Sequence, residues 1–583
     1  MIETYHDPAR SVGDRVEDLL ARMTLAEKAG LMFQPMVAMG PGGRLAEANE
    51  AFGLPSTQHL VADLFLNHFN LLGSVDDPRQ VAEWHNGLQE AARQTRLGIP
   101  VSLSTDPRHH FTENVGTAFR ATAFSQWPET LGFAALRSPE LVQEFADIAR
   151  QEYTAVGFRV ALHPQVDLAT EPRWARVSGT FGEDADLSGE LVAAYVKGFQ
   201  GDELGPGSVS TMTKHFPGGG PQLDGEDPHF AYGREQVYPG GNFDHHLRPF
   251  EAALAAGTSQ VMPYYGMPVG TEYEEVGFAF NKGVITGILR ERLGFDGIVC
   301  TDWGLVTDAE IMGQPMPARA WGCEQLSELE RVVKIIEAGC DQFGGESRPE
   351  LVIEAVEKGL VTVDRIDVSV RRLLREKFRL GLFDNPFVDV DAVAGVVGRQ
   401  DFVARGEDVQ RRSVTVLTNK EHILPLRKGI RLYVEGVDAE VVAPYATVVD
   451  SPADADVAFL RLGTPFEPRP GGFEAMFHAG SLEFDDVEKA RQAAVYAAVP
   501  TVVDIHLERA AVIPEIADQA AAVVATYGTN ARALLDVLFG DARPEGRLPF
   551  DLPSSMRAVE GSRSDVAFDT AEPLFRFGHG LSL

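Results

Sequence analysis

Eight short apolar runs recur between residues 30 and 345, separated by segments long enough to hold a helix. They are Gly30 to Gln34, Phe69 to Val75, Ile99 to Thr105, Val160 to Leu168, Ser210 to Phe216, Ser259 to Gly266, Gly297 to Gly304 and Cys340 to Gly345. Read as strands, they give the regular β/α alternation that a (β/α)8 TIM-like barrel requires. The intervening segments agree. Ser138-Pro139-Glu140-Leu141 offers a capping hydroxyl and a proline at the first helical position, and an apolar stripe continues through Ile148.

In such a barrel the strand interiors fill the core and the C-terminal strand ends carry function. Several runs end in groups capable of chemistry: Asp106, Asp167, Lys214-His215, Tyr264-Tyr265 and Asp302. Some are expected to be structural, Asp167 first among them. The run ending Thr301-Asp302-Trp303-Gly304 sets one acid beside a flat apolar face of the kind sugars stack on. The plainer alternative is an acid that caps the next helix or pairs with a buried cation. Lys214-His215-Phe216-Pro217-Gly218-Gly219-Gly220 places a cation and an imidazole at a strand end, able to donate hydrogen bonds to neighbouring hydroxyls. A phosphate cradle is disfavoured, because no Gly-Lys-Ser/Thr follows. Charge also opposes it: 85 acidic against 52 basic residues give a formal −33, which repels nucleic acid and anionic membranes and suits a small neutral substrate.

Two loops concentrate polar groups. Glu171-Pro172-Arg173-Trp174-Ala175-Arg176, followed by Phe181-Gly182-Glu183-Asp184, holds two arginines, a tryptophan and three acids. Ion pairing is expected to occupy at least one arginine, leaving the other's planar fork for a sugar's hydroxyls. Asp224, Glu226, Asp227 and His229 cluster in a Gly- and Pro-rich loop. Such a cluster is either a metal site or a solvated acidic loop. The spacing fits no calcium loop, so no metal is expected.

A helix over Asp364 to about Leu380 is followed by the breaker Gly381-Leu-Phe-Asp-Asn385-Pro386-Phe387, which closes a barrel domain at residues 1–385. Residues 386–412 read as a linker. Residues 413–583 read as an α/β sandwich domain, with strands near Val414 to Leu417, Ile430 to Val434, Val457 to Leu462, Thr501 to His506 and Ala522 to Tyr527. It lacks a phosphate-binding glycine fingerprint. Cys300, Cys323 and Cys340 are widely spaced and odd in number, which suits buried thiols. The opening Met1-Ile2-Glu3-Thr4-Tyr5-His6-Asp7 has no basic segment followed by an apolar run, and no stretch of about 20 apolar residues appears later, so a cytoplasmic protein is expected.

These motifs, in their order, resemble glycoside hydrolase family 3, the exo-acting β-glucosidase and β-xylosidase group. The resemblance runs from Arg15-Val-Glu-Asp-Leu-Leu-Ala-Arg-Met23-Thr24-Leu-Ala-Glu27-Lys28 through Glu171-Pro-Arg-Trp, Lys214-His-Phe-Pro-Gly, Thr301-Asp-Trp and Gly381-Leu-Phe-Asp-Asn-Pro. It continues through Pro544-Glu-Gly-Arg-Leu-Pro549 to Phe577-Gly-His-Gly-Leu581. It implies a barrel followed by a sandwich, and cofactor-free, retaining hydrolysis of a small β-glycoside. Asp302 matches the family's nucleophile. Asp106, Arg173, Lys214 and His215 match positions that hold the terminal sugar's hydroxyls, and Met262, Tyr265 and Trp303 match residues lining that subsite.

The proton donor is less plain, because the second-domain loop Leu462-Gly-Thr-Pro-Phe466-Glu467-Pro468-Arg469-Pro-Gly-Gly-Phe473-Glu474-Ala475 departs from the family's usual Glu-Gly followed by Asp-Arg. Glu467 is the first choice by its offset from the strand. Glu474 is second, beside an aromatic that would desolvate it, and Asp227 with His229 is third, resembling the Asp-His pair of the N-acetylglucosaminidase branch. The expected activity is β-glucosidase. β-Xylosidase is the near alternative, then N-acetylglucosaminidase, then a non-catalytic sugar-binding protein. The aromatics from Phe466 to Phe477 suggest either a homodimer contact or the lining of an aglycone site.

Overall fold

The computed structural model describes residues 3–48, 55–114 and 116–583. Met1 and Ile2, on which part of the N-terminal reading rests, lie outside the described residues. Among the described residues no helix is long and apolar enough to cross a membrane. The first sheet is entirely parallel and runs Phe33–Gln34, Gln342–Gly344, Ile298–Trp303, Gln260–Pro263, Ser210–Phe216, Phe158–Ala161, Ser102–Thr105, His68–Leu72, Met36–Ala38. Its two edge strands are consecutive in the chain, separated by Pro35 alone. Pro35 has no N–H for the ladder, so the strand breaks there, leaving Gln342–Gly344 and taking up His68–Leu72. The sheet edges therefore meet, and the sheet curls into the barrel.

Each of the eight runs contains or overlaps a strand; Ser210–Phe216 matches end to end and the others have shifted ends. The first strand starts at Phe33 and not Gly30, because a capping box between Thr24 and Glu27 drives the helix Leu25–Leu31 through the beginning of the run. The fourth ends at Ala161, after which His163 to Leu168 continues without regular pairing. Ser138 caps the helix Pro139–Val156 as its sequence implies, and Gly157 ends it at φ 98°.

The second sheet runs Thr415–Asn419, Ala522–Thr526, Thr501–His506, Val457–Gly463, Arg431–Glu435, Thr447–Val449, parallel except for the first pair. Thr447–Val449, three residues at a sheet edge, carries too little pattern to be read from sequence. Residues 386–412 are not a bare linker, since the helix Gln400–Ser413 lies largely within them and buries Phe402 and Val409.

One face of this sheet, through Leu417, Leu460, Val503 and Val523, joins the same apolar core as the barrel. The other face packs Val416, Phe459 and Val502 against Leu534 and Leu538 in a core of its own. Main-chain hydrogen bonds also cross the seam, from Glu129 N to Tyr527 O, Glu183 N to Pro549 O and Arg547 N to Ala135 O. This docking brings the loop after Val457–Gly463 over the barrel mouth.

Candidate active site

Asp302, at the end of its strand, is 7% exposed. Its Oδ1 accepts the Trp303 N–H at 2.9 Å, while its buried Oδ2 has no hydrogen-bond donor among the described residues. An unpaired carboxylate oxygen in such a place is costly unless something else uses it. Tyr265 Oη donates to Trp303 O at 2.9 Å and accepts the Trp303 N–H at 3.0 Å, which fixes the turn bearing the acid. The Trp303 indole lies over Gly344 and Gly345, where a Cβ at either position would come within 2.6 Å of the ring. Met262 is buried in the neighbouring strand Gln260–Pro263.

On the other side, Asp106 accepts from Asn70 Nδ2 at 3.1 Å and from Lys214 Nζ at 3.5 Å. Burial pushes the Lys214 ammonium down, opposed chiefly by Asp106. His215 gives its Nδ1 to Asp167 Oδ2 at 2.8 Å, and the His215 and Gly219 N–H groups also donate to Asp167. Burial and then Arg176 drive the His215 pKa well below its ordinary value, so the ring is a neutral imidazole. Asp167 is structural in this sense: it orients His215.

The arginines of the Glu171–Arg176 loop divide their work. Arg173 was expected to hold sugar hydroxyls, but its fork is consumed by Glu171 at 2.8 and 3.0 Å, with Asp224 at 3.5 Å. Arg176 is the buried one whose guanidinium has no hydrogen-bond partner among the described residues. Burial opposes its charge. Tyr264, Asp227, Asp302 and Asp167 outweigh that and hold it protonated above its usual range.

Asp227 and His229 lie inside the site. Asp227 Oδ1 meets His229 Nδ1 at 2.6 Å, and Oδ2 accepts from Trp174 Nε1 at 3.0 Å and Tyr264 Oη at 3.3 Å. Burial works against the Asp227 charge, but His229 and Arg176 hold its carboxyl down at about 2. Burial also lowers the His229 pKa, which Asp227 only partly offsets. The other acids of this loop are engaged in ion pairs, Asp224 with Arg173 and Glu226 with Arg469.

The second-domain loop closes over this arrangement. Phe473 and Phe477 are buried against His229 and Phe230, with centroids 4.7 Å apart for Phe477 and His229. Only Phe466 among the loop's phenylalanines is exposed, so the loop does not offer the aromatic patch on which a dimer contact was suggested. Glu467 is exposed and accepts the Ser481 N–H at 3.2 Å within its own loop. This removes the ground for ranking it first as proton donor, because its carboxylate serves the hairpin closed by the Glu467–Ala479 bridge. Glu474 is half-buried and accepts from Tyr232 Oη of the barrel loop at 2.6 Å. Arg509, fully buried, straps the loop down by donating to the carbonyls of Pro465, Gly480 and Arg173 at 2.6, 3.2 and 2.8 Å.

A family model described as the glycosyl hydrolase family 3 N terminal domain matches residues 24–376, and one for the C-terminal domain matches residues 442–583. The chain belongs to glycosyl hydrolase family 3. It is similar to probable β-glucosidase C of Aspergillus oryzae, 59% identical over 582 residues that cover 99% of this chain and 91% of that protein. A periplasmic β-glucosidase/β-xylosidase of Dickeya chrysanthemi is 41% identical, with 100% and 91% covered. Among solved structures, a β-glucosidase from Erythrobacter marinus shares the fold at a TM-score of 0.80 and 22% identity, covering 100% of this chain and 84% of that one.

Two residues of this family 3 site escaped the sequence reading. Asn70 lies in the strand His68–Leu72, where its contact with Asp106 follows from barrel register and not from any local motif. Arg319 lies on the loop after Asp302, donates to Trp303 O at 3.1 Å and His229 O at 3.3 Å, and sits over the Tyr265 ring. Nothing in its neighbourhood in the sequence marks it. Arg176 was within reach, since it stands in the quoted loop, but the choice between the two arginines depends on where Glu171 turns.

Proposed function

We propose that this glycoside hydrolase removes terminal β-D-glucosyl residues from the non-reducing end of small glucosides, with retention, through a covalent glycosyl intermediate on Asp302. The observation that carries this reading is the unpaired, buried Oδ2 of Asp302 beside the cations Arg176 and Lys214, with His215 turning an acceptor Nε2 to the site because its Nδ1–H is given to Asp167. A retaining enzyme needs one ionised carboxylate to attack C1 and a protonated group roughly 5–5.5 Å away to supply the leaving oxygen. Asp106, Arg176, Lys214 and His215 then hold the hydroxyls, and Trp303, Tyr265 and Met262 shape the ring's seat. The names of the Aspergillus and Dickeya relatives support a glucosidase, and the Dickeya name supports β-xylosides as the second substrate.

Glu474 supplies the proton in this reading. It is the lid carboxyl that meets the barrel loop, through Tyr232, and it stands next to the buried Phe473. His229 is the competitor. Burial favours its neutral form, and when Nδ1–H is donated to the ionised Asp227 the remaining Nε2 carries no proton to give.

A panel of aryl β-glycosides (glucoside, xyloside, galactoside and N-acetylglucosaminide) assayed with wild type and Asp302→Ala tests the sugar and the nucleophile together. Glucoside turnover lost in the variant is the expected result, and turnover of the acetamido sugar alone overturns it. Glu474→Gln is expected to lose about 10²–10⁴-fold in rate on glucosides with poor leaving groups and far less on activated ones. If His229→Gln shows that leaving-group dependence and Glu474→Gln does not, the proton donor is the dyad.

A further inference from the structure

A cavity of about 470 Å³ lies between the two domains, with Lys214 and Arg176 as its only members of the sugar-holding ring. Asp302, Trp303, Tyr265 and Met262 do not line it. It therefore meets the sugar-holding ring through Lys214 and Arg176. Its size falls within the roughly 300–1,000 Å³ typical of ligand pockets.

The walls suit a neutral polyol. Three carboxylates, Glu113, Glu129 and Glu508, and two cations, Arg176 and Lys214, line it, and two of the acids are already engaged, Glu129 by the Phe111 and Thr112 N–H groups and Glu508 by His478, so neither an anion nor a cation is favoured outright. Asn114 and His506 add further hydrogen-bonding groups, and Phe111 and Phe477 offer apolar faces for the C–H side of a sugar ring. The polar wall is held in place: Glu508 Oε1 meets His478 Nδ1 at 2.7 Å, the His478 ring stacks on Phe466 at 3.7 Å, and Asn114 Nδ2 donates to Met476 O at 3.1 Å.

We propose that this cavity receives a second sugar unit, joined to one of the bound ring's hydroxyls on the Lys214 and Arg176 side, so that the enzyme also releases intact disaccharides from β-linked diglycosides. The inference rests on the glucosidase reading for its catalytic step. That step is unchanged: the bond from C1 of the inner sugar to the aglycone oxygen breaks, one water is consumed, and a free disaccharide and the alcohol leave.

The test uses the full chain with 4-nitrophenyl β-glucoside and the 4-nitrophenyl β-glycosides of laminaribiose, cellobiose and gentiobiose, separating the earliest products. Nitrophenol together with intact disaccharide from at least one of the three is the expected result. Ser178→Trp, which fills the cavity from the barrel side, is expected to lower that kcat/KM by more than about tenfold while glucoside kcat/KM stays within about twofold. Glu508→Gln, a milder change, is expected to raise KM for the disaccharide substrate alone. Glucose appearing ahead of nitrophenol from all three disaccharides, with the simple glucoside turned over normally, overturns the inference and leaves the glucosidase reading intact. A Ser178→Trp enzyme that slows both substrate types alike also counts against it. Loss of the simple glucoside activity itself would remove the reading on which it stands.

Discussion

Asp302 keeps one carboxylate oxygen free of donors because Trp303 and Tyr265 satisfy each other's main-chain and hydroxyl groups beside it. In the proposed nucleophilic role Asp302 loses nothing on attack, since no hydrogen bond to Oδ2 has to be broken first. Asp302→Gly is expected to abolish turnover, and added azide is expected to restore it with formation of the α-glycosyl azide, which proton NMR of the product identifies. The paired arginines give a second outcome. Replacing Arg176 by Lys removes a buried planar donor and is expected to raise KM about 10–100-fold, from roughly 1.5–3 kcal/mol for hydrogen bonding to a charged group. Arg173→Lys is expected to change KM little and to loosen the Glu171 loop instead. The strand-end acid was legible in the sequence because an apolar run that stops at Asp-Trp-Gly sets its carboxylate where the strand leaves the core. Which arginine faced the site was not, because both lie within one turn of chain and Glu171 decides between them.

The lid, from Gly463 to about Leu482, is held near both of its ends by one side chain from another element. Arg509 follows the strand Thr501–His506 and bonds three carbonyl oxygens, two on the lid and one on the barrel loop. Burial pushes its pKa down to about 10, which still leaves it charged at neutral pH. Arg509→Leu is expected to leave the barrel folded, to raise the hydrogen-exchange rate of lid amides including Ser481, and to cut kcat/KM on poor leaving groups through loss of Glu474 placement. Exchange unchanged across the lid would refute this role. The elements themselves were legible where burial was continuous, as at Ser210–Phe216, whose seven residues are all buried. They were obscured where a cap or a proline intervened. The Thr24 capping box moved one strand start, and Pro35 divided a strand in two, both being local effects that apolar patterning does not carry. That Glu467 turns into its own hairpin was not legible either, since it depends on pairing with Ala479.

Across the whole molecule, Glu183 joins the domains. This barrel-loop acid is buried and accepts the Asp551 N–H at 2.6 Å and the Phe568 N–H at 2.9 Å from the sandwich. Burial pushes its pKa from 4.5 up to about 8, against the effect of those two donors. The folded state therefore binds this proton more tightly than the unfolded chain. Stability from this group is fully present below pH about 4.5, falls as pH rises toward 8, and does not change further above it. Thermal melts of wild type and Glu183→Gln between pH 5 and 9 check the sign: the variant is expected to show a flatter dependence, and an unchanged slope would exclude Glu183 as its source. The seam itself has a different character. Its bonds from Glu129 to Tyr527, from Glu183 to Pro549 and from Arg547 to Ala135 join backbone to backbone, as Arg509 grips carbonyls alone. The lid is thus mounted at its ends by its own main chain, which makes it a cassette in outline: loops from related enzymes, grafted between Gly463 and Leu482, would inherit that mount provided they keep a partner for Glu226, a carboxyl at Glu474 and the aromatics that cover His229 and Phe230.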